Sequence, residues 1–321
     1  MVNQFSRFPN GFPLLLAGLK TLLPDLWIPT SAILTNIFAS TAVVGLCMGI
    51  SKRITKNSLA VIFVGLIVAF YPNQLNYVRQ ILTEPVTTFF LVLHAYLLFN
   101  NKYFSSAIFL VIAALFRSTL LPLIPIMLII LFITERTWNP KSPAFKFFGG
   151  TASIGLIYLL LVLFDVVKPS NNLGANLLIS ISSYGGNVDY TLSGFTSEEM
   201  KEPIKTYLSF AIDHPVEYLK QRLLSLNELW GWPSMGEPPR GIARKLLIAI
   251  RIPFLIGSVT ALYLNFKKTE IWMLFSPILV ITVIHVLFFS TTRFTHVVEP
   301  FAVVLTMISL NSIYNRWFKK Y

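Results

Sequence analysis

The sequence predicts an all-α polytopic membrane protein, with about nine membrane segments and one extracytoplasmic loop domain. Three observations predict this fold class. Of the 321 residues, 55% are hydrophobic and only 12% are charged, whereas a soluble domain carries about 25% charged residues. Apolar stretches recur along the chain near the roughly 20 residues that a membrane helix needs. The basic residues gather in alternate connections, as expected when cytoplasmic loops keep positive charge.

The membrane segments are taken in chain order. We predict them near residues 26–50, 57–72, 86–100, 105–116, 118–133, 147–167, 244–265, 271–290 and 301–315. The stretch 11–24 is too short to span and contains Lys20, so we expect an interfacial helix there. The chain then divides into an N-terminal membrane bundle (1–167), an extracytoplasmic loop domain (168–243) and C-terminal membrane helices (244–321).

The segments 105–116 and 118–133 form either one long helix or a hairpin that reverses at Arg117. A reversal places twelve basic residues on one side of the membrane: Lys52, Arg53, Lys56, Lys102, Arg136, Lys141, Lys146, Lys267, Lys268, Arg316, Lys319 and Lys320. A single span would move several of these across the membrane and break the positive-inside pattern. We therefore predict a hairpin with Arg117 at its outer tip, helped by Pro122 and Pro125. The C-terminus is then cytoplasmic, in a multi-pass protein of the cell (inner) membrane.

The predicted loop domain is the only long polar stretch of the chain. Its second half contains an amphipathic pattern over roughly 198–229, which predicts a charged helix broken near Pro215. We expect this helix to lie on the membrane face or to cap the bundle. Trp230 and Trp232 follow it, and indole side chains there suit the boundary between water and lipid.

Charged side chains gather in the connections that the hairpin topology places outside. They come from separate parts of the chain: Arg79, Glu84, Arg117, Asp165, Arg293, His296 and Glu299. The interior segments are nearly free of charge, and His94, His285 and Arg251 are the main exceptions. Local explanations stay open for some of these residues. Arg79 and Arg293 could contact lipid headgroups, and Glu84 with Pro85 could begin a helix capped by Thr83.

Arginines at a membrane boundary suit a phosphate group, because a guanidinium makes two parallel charge-assisted hydrogen bonds. A carboxylate beside them suits a general base or a metal ligand. Composition therefore favours a lipid-linked phosphate substrate handled outside the cytoplasm. No zinc-protease, P-loop, serine-hydrolase or paired-cysteine motif occurs. The net charge of +12 is explained by the cytoplasmic basic residues, so we expect no nucleic acid partner.

Several stretches together resemble the GT-C membrane glycosyltransferases that use polyprenyl-phosphate sugars, which include protein mannosyltransferases and lipid A aminoarabinose transferases (family 39-like). In chain order these stretches are "NGFPLLLAGLKTLL", "AFYPNQLNYVRQILTEPVTTFFLVLHAYLLF", "AALFRSTLLPLIPIMLIILF", "IDHPVEYLKQRLLSLNELW" and "TTRFTHVVEPFAVVLTMISL". The resemblance implies a GT-C-like bundle and transfer of a sugar to a lipid, glycan or protein acceptor at the extracytoplasmic face.

The resemblance also implies roles for individual residues. Glu84 matches the acidic residue at the family's outer corner, where a carboxylate activates the acceptor hydroxyl. Arg117 and Arg293 match arginines that hold the donor phosphate. Arg79, His296 and Glu299 are further substrate-binding candidates, and a divalent metal stays open as a cofactor.

One departure from the family pattern concerns the principal catalytic Asp, which the family carries in an outer loop just after its first span. Residues 1–25 contain only Asp25, which follows the Gly-Phe-Pro stretch instead of preceding it. We therefore expect a chain that lacks the family's first span and catalytic Asp loop, so its activity stays open. A divergent enzyme that uses Glu84 is the alternative. A transporter or flippase of lipid-linked sugars and a non-catalytic membrane subunit are the competing functions.

Overall fold

The computed structural model describes residues 9–24, 27–164, 177, 201–230, 242–288 and 292–317. These ranges contain helices and connections but no strand. In chain order the helices are α1 (Gly11–Leu22), α2 (Ile28–Thr55), α3 (Ser58–Ala69), α4 (Pro72–Val78), α5 (Glu84–Phe99), α6 (Tyr103–Phe116), α7 (Leu123–Glu135), α8 (Pro143–Leu163), α9 (Lys201–Asp213), α10 (Pro215–Trp230), α11 (Ile242–Leu264), α12 (Thr269–Leu287) and α13 (Glu299–Trp317). The 3₁₀ turns Ser118–Leu120 and Thr292–Val297 lie before α7 and α13.

Four stretches are long and apolar enough to cross a membrane. They are Ile28–Thr55, Ser118–Glu135, Pro143–Leu163 and Thr269–Leu287, and the bent pair α3–α4 makes a fifth if it counts as one span. Many large apolar side chains on the outer faces of these helices are exposed, among them Phe38, Phe63 and Leu163. The all-helical membrane class is therefore supported. Nine membrane crossings stay a prediction, because the remaining helices are shorter or less apolar than a spanning helix.

The helices run between two ends of one bundle. At one end, which we call the site end, Glu84 contacts Arg117 and Arg293. At the other, which we call the basic end, Arg53, Tyr103, Thr134 and Lys268 line a common cavity. Helix α6 therefore leaves the basic end at Tyr103 and reaches the site end at Phe116, and α7 returns to the basic end. The chain therefore reverses its direction near Arg117, and the position of this reversal on the outer side of a membrane stays a prediction.

The short helices α5 and α6 are enclosed by other helices. Helix α6 packs against α5 and α8, and α5 packs against α2. Small side chains make this close packing possible, since Ser106, Ala107, Ala113 and Ala114 are all buried on α6. A helix of 14 residues can be stable here because most of its contacts are with protein.

The predicted segment 57–72 contains one helix, α3, and ends at a break before α4. Helix α3 ends at Ala69, and α4 continues from Pro72 at an angle of 45°. Proline lacks the backbone N–H needed to continue a helix, and it holds the preceding residue extended; Tyr71 has φ −63° and ψ 126°. The bend turns Asn73 into the protein, where its side chain is buried.

Helix α1 lies against the site end of the bundle. Gly11 at its start packs on the backbone of Leu115 and the ring of Phe116, while most of its other residues are half-buried or exposed. A short helix within 11–24 was predicted, and its position at the water–lipid boundary stays a prediction.

The amphipathic stretch forms two helices, α9 and α10, which are separated at His214 as the proline pattern predicts. They cap the site end of α12. The Tyr207 hydroxyl donates to the carbonyl of Leu287 (2.7 Å), and Arg222 donates to the carbonyls of Val286 (3.0 Å) and Leu287. Burial and a hydrogen bond with Tyr218 raise the pKa of the Tyr207 phenol, so this donor stays protonated.

Trp230 differs from the sequence prediction. Only 4% of it is exposed, and its indole N–H donates to Thr282 Oγ1 at 3.0 Å. Since a neighbouring helix satisfies the polar edge of the ring, Trp230 packs inside the protein instead of anchoring in the boundary. Trp232, Asp165, Asp25 and most of the predicted loop domain lie outside the described residues.

Candidate functional site

The first part of the site is Glu84 with two arginines. Helix α5 begins at Glu84, with Thr83 at the N-cap position and Pro85 in the first turn, as predicted, although the Thr83 side chain makes no capping bond. The Glu84 side chain is fully buried. Its Oε1 atom accepts a hydrogen bond from Arg293 Nε and lies 3.5 Å from Arg117 Nη1. Three separate connections of the chain thus meet at one carboxylate oxygen.

Arg117 is held on more than one side. It has extended backbone (φ −150°, ψ 100°) at the end of α6, where the chain reverses. Its guanidinium carbon lies 4.4 Å from the centre of the Phe294 ring, a distance typical of a cation–π contact. Phe294 in turn stacks on His285, with ring centres 4.1 Å apart. Arg117 is therefore a buried cation in a fixed position.

Arg293 differs from Arg117 in exposure. It lies in the 3₁₀ turn Thr292–Val297, and 46% of its side chain is exposed. One guanidinium nitrogen is committed to Glu84. The remaining donors of the guanidinium group can face a ligand that approaches the site end, since an arginine carries five N–H donors in one plane.

The second part of the site is Glu299 with its partners. Glu299 begins α13 and is buried. Its carboxylate accepts from Arg251 Nε (2.8 Å), from Asn73 Nδ2 (2.8 and 3.0 Å) and from Thr295 Oγ1 (3.0 Å). His296 Nδ1 lies 3.6 Å from Oε2. This cluster joins α4, α11 and α13 to the same 3₁₀ turn that carries Arg293.

Tyr77 lies between the two clusters. Its ring packs edge-on against His296, with centres 5.0 Å apart. The 3₁₀ turn Thr292–Val297 carries Arg293 of the first cluster and His296 of the second. The two clusters are therefore neighbouring parts of one polar region at the site end.

The structure brings five of the six predicted site residues into this region. Glu84, Arg117 and Arg293 form the first cluster, and His296 and Glu299 belong to the second. Arg79 does not join them, since it is exposed at the end of α4 and makes no ion pair within the described ranges. The chemical role of each residue stays a prediction.

Sequence reasoning missed Arg251 and Asn73 as members of the site. Arg251 was visible only as a charge inside the apolar segment 244–265, yet it is 1% exposed and paired with Glu299. A buried arginine needs a partner, because an unpaired charge in an apolar interior is costly. That rule signals the presence of a carboxylate partner, but it does not say which one.

The charges of the site favour an anionic ligand. Three arginines face two carboxylates, so the region carries a net positive charge when His296 is neutral. Among the described residues no group of three or more His, Cys, Asp or Glu side chains could hold a metal ion. The exposed Arg293 has the donors that an anion such as phosphate needs, and the buried Glu84 carboxylate accepts a hydrogen bond from the same guanidinium group.

Searches among known protein families, curated proteins and solved structures found no match to this chain. The resemblance to GT-C glycosyltransferases therefore stays a prediction.

Proposed function

We propose that this chain moves a sugar from a polyprenyl-phosphate carrier to a lipid, glycan or protein acceptor at the extracytoplasmic face of a membrane. The observation that supports this most is the contact of Glu84 with Arg117 and Arg293 at one end of an apolar bundle. A lipid-linked phosphate has its charged group at the surface of a bilayer and its hydrocarbon chain in the interior. The site end offers exposed guanidinium donors next to apolar helix surfaces that would suit both parts.

Arg293 is the residue that we assign to the donor phosphate. Its exposed half can make paired hydrogen bonds to phosphate oxygens, while Arg117 adds positive charge from beneath. Arg117 itself is held by Glu84 and Phe294. Such fixed donors stabilise the charge that develops on a leaving phosphate more than the charge of the bound ground state.

Glu84 is the residue that we assign to the acceptor hydroxyl. A phosphate that binds the Arg293 guanidinium would release Glu84 from that partner, so that the carboxylate can accept a proton while Arg117 stays in place. The acceptor oxygen then bonds to the anomeric carbon as the bond from that carbon to the phosphate oxygen breaks. The polyprenyl phosphate leaves with the electron pair, and the proton passes to Glu84. Attack opposite the leaving group inverts the anomeric configuration.

The Glu299 cluster has a positioning role in this proposal. Glu299 accepts hydrogen bonds from Arg251, Asn73 and Thr295, so its carboxylate is occupied by the protein itself. Its contacts fix the 3₁₀ turn that carries Arg293. His296 connects this cluster to Tyr77, and we assign it the same role.

The test is a transfer assay with the purified chain in liposomes that contain tritiated polyprenyl-phosphate hexoses. We expect transfer to a lipid or glycan acceptor, and we expect Arg293→Gln to slow it by about a hundredfold, the typical effect of removing one transition-state donor. Lys141→Gln is the matched control, because Lys141 is an exposed cation in the connection between α7 and α8. Equal rates for Arg293→Gln and the unchanged chain would contradict the assigned role.

One observation favours a second candidate, a flippase of lipid-linked sugars. The broken pair α3–α4 places Asn73 against a buried ion pair, and transporters often bind substrate at broken helices. The same liposomes distinguish the two functions. Movement of the labelled donor between leaflets without sugar transfer would favour the flippase.

A further inference from the structure

We propose that the basic end of the bundle contains a second binding site, which accepts a phosphate ester. The proposal concerns the end opposite to Glu84 and does not depend on the proposed function. It starts from a cavity of about 430 Å³ between the ends of α2, α5 and α7 and the starts of α6 and α12. A cavity of this size lies within the range that small-molecule ligands occupy.

Two basic side chains, Arg53 and Lys268, line this cavity. Both are exposed, and neither makes an ion pair within the part of the chain that the structure describes. Arg53 Nη1 donates to the neutral Asn100 Oδ1 at 3.2 Å, which leaves other guanidinium N–H groups for a ligand. One carboxylate, Glu270, also lines the cavity, so the two cations outnumber it.

Two helices begin at the cavity. Helix α6 starts at Tyr103 and α12 starts at Thr269, and the N-cap side chains Lys102 and Lys268 form no capping bond. The first N–H groups of a helix have no partner within the helix and carry partial positive charge, which favours anions. The hydroxyls of Thr134 and Thr269 lie at the same place, 3.4 Å apart. Cations, helix starts and hydroxyls therefore converge on one cavity.

The other walls of the cavity are apolar. The residues that line them are Leu98, Phe99, Ile271 and Met273. A ligand that fills the cavity therefore needs an apolar part as well as a charged group. An inorganic phosphate would fill only a small part of the volume. A phosphate ester matches both kinds of wall, with its phosphate at Arg53 and Lys268 and its carbon chain on the apolar residues. Anionic phospholipid headgroups and soluble glycerol or sugar phosphates share this chemistry.

The test measures ligand retention by the full chain with two probes. The lipid probe is phosphatidylglycerol in nanodiscs of phosphatidylcholine, with retained lipid counted by native mass spectrometry. The soluble probe is sn-glycerol 3-phosphate, measured by its shift of the thermal midpoint. We expect the double variant Arg53→Gln/Lys268→Gln to weaken binding by at least about tenfold, since charge-assisted hydrogen bonds are lost. A response to the lipid alone identifies a headgroup site, and a response to glycerol phosphate identifies a soluble ligand.

The matched control is Lys141→Gln/Lys146→Gln, which removes the same charge from exposed residues outside the cavity. Thr134 also lines the cavity. A second variant, Thr134→Tyr, therefore takes up space in the cavity without a change of charge, and we expect it to weaken binding as well. Equal losses in the control and in Arg53→Gln/Lys268→Gln would overturn the proposal, because they indicate general attraction to basic residues. Retention of neither probe by the unchanged chain would also overturn it. Sugar transfer at the site end is expected to be the same in all of these variants, which separates this site from the proposed function.

Discussion

At the scale of single residues, the ion pair of Glu84 and Arg117 provides a measurable prediction. Glu84→Gln leaves Arg117 in a buried position without its counter-charge. Breaking a buried pair in this way costs about 3–5 kcal/mol, whereas replacing both partners with uncharged groups costs less. We therefore expect Glu84→Gln to lower the free energy of unfolding in micelles strongly. The double variant Glu84→Gln/Arg117→Gln should lose less than the sum of the two single variants, and losses that add fully would contradict a direct interaction.

The place of each site residue in the sequence also explains which of them could be predicted from the sequence alone. Glu84, Arg117 and Arg293 stand in connections or at their ends, where a charge is unusual only because several connections carry one on the same side. Arg251 stands inside an apolar helix, and its partner Glu299 lies 48 residues later in the chain. That pairing depends on how α11 packs against α13. No local pattern contains this information, although an arginine in an apolar segment does indicate that a partner exists.

At the scale of elements, helix α8 offers a matched pair of glycines. A Cβ atom on Gly150 would press against the carbonyl of Phe104 and lie 3.0 Å from Ala107 Cβ, whereas a Cβ atom on Gly155 meets nothing within 4 Å. The contact at Gly150 is with backbone, which cannot move aside as a flexible side chain could. We expect Gly150→Ala to destabilise the protein by about 1–3 kcal/mol through overpacking between α6 and α8. Gly155→Ala should be neutral or slightly stabilising, because alanine is the better helix former.

Thermal unfolding in micelles checks this pair, and the comparison controls for changes in helix propensity because both glycines lie on one helix. Similar midpoints for the two variants would mean that α6 and α8 do not pack as closely as described.

The sequence predicted the helix boundaries correctly where local chemistry decides the structure. The break at His214 before Pro215 and the start of α5 at Glu84 follow from proline and helix-start signals in the sequence. The bend between α3 and α4 also has a local cause, Pro72. Hydropathy marks only the end of the apolar segment 57–72 and gives no sign that a second helix follows at an angle. Trp230 was assigned to the boundary from its residue type. Its actual position depends on Thr282 of another helix, which a single segment cannot reveal.

At the scale of the whole molecule, the described helices separate two kinds of polar region. Buried ion pairs with a net positive charge occupy the site end, and exposed lysines and arginines occupy the basic end. Between them lie helices with large exposed apolar side chains. Charge statistics predicted this separation because the bilayer imposes it on every connection at once. Contacts within each end could not be predicted in this way, since they depend on side-chain packing.

The arrangement of the two ends leads to a labelling prediction. The native Cys47 is buried, with 1% exposed, so the unchanged chain should react little with a membrane-impermeant maleimide and serves as the control. Arg79→Cys places a thiol at an exposed position at the end of α4, and Lys141→Cys places one in the basic connection between α7 and α8. We expect labelling of Arg79→Cys in intact cells and labelling of Lys141→Cys only after permeabilisation, because basic connections stay in the cytoplasm. Labelling of both thiols from one side would contradict a bundle that spans the bilayer between its two ends. The reverse order of labelling would place Glu84, Arg117 and Arg293 at the cytoplasmic face, and an extracytoplasmic sugar transfer at that site would then be untenable.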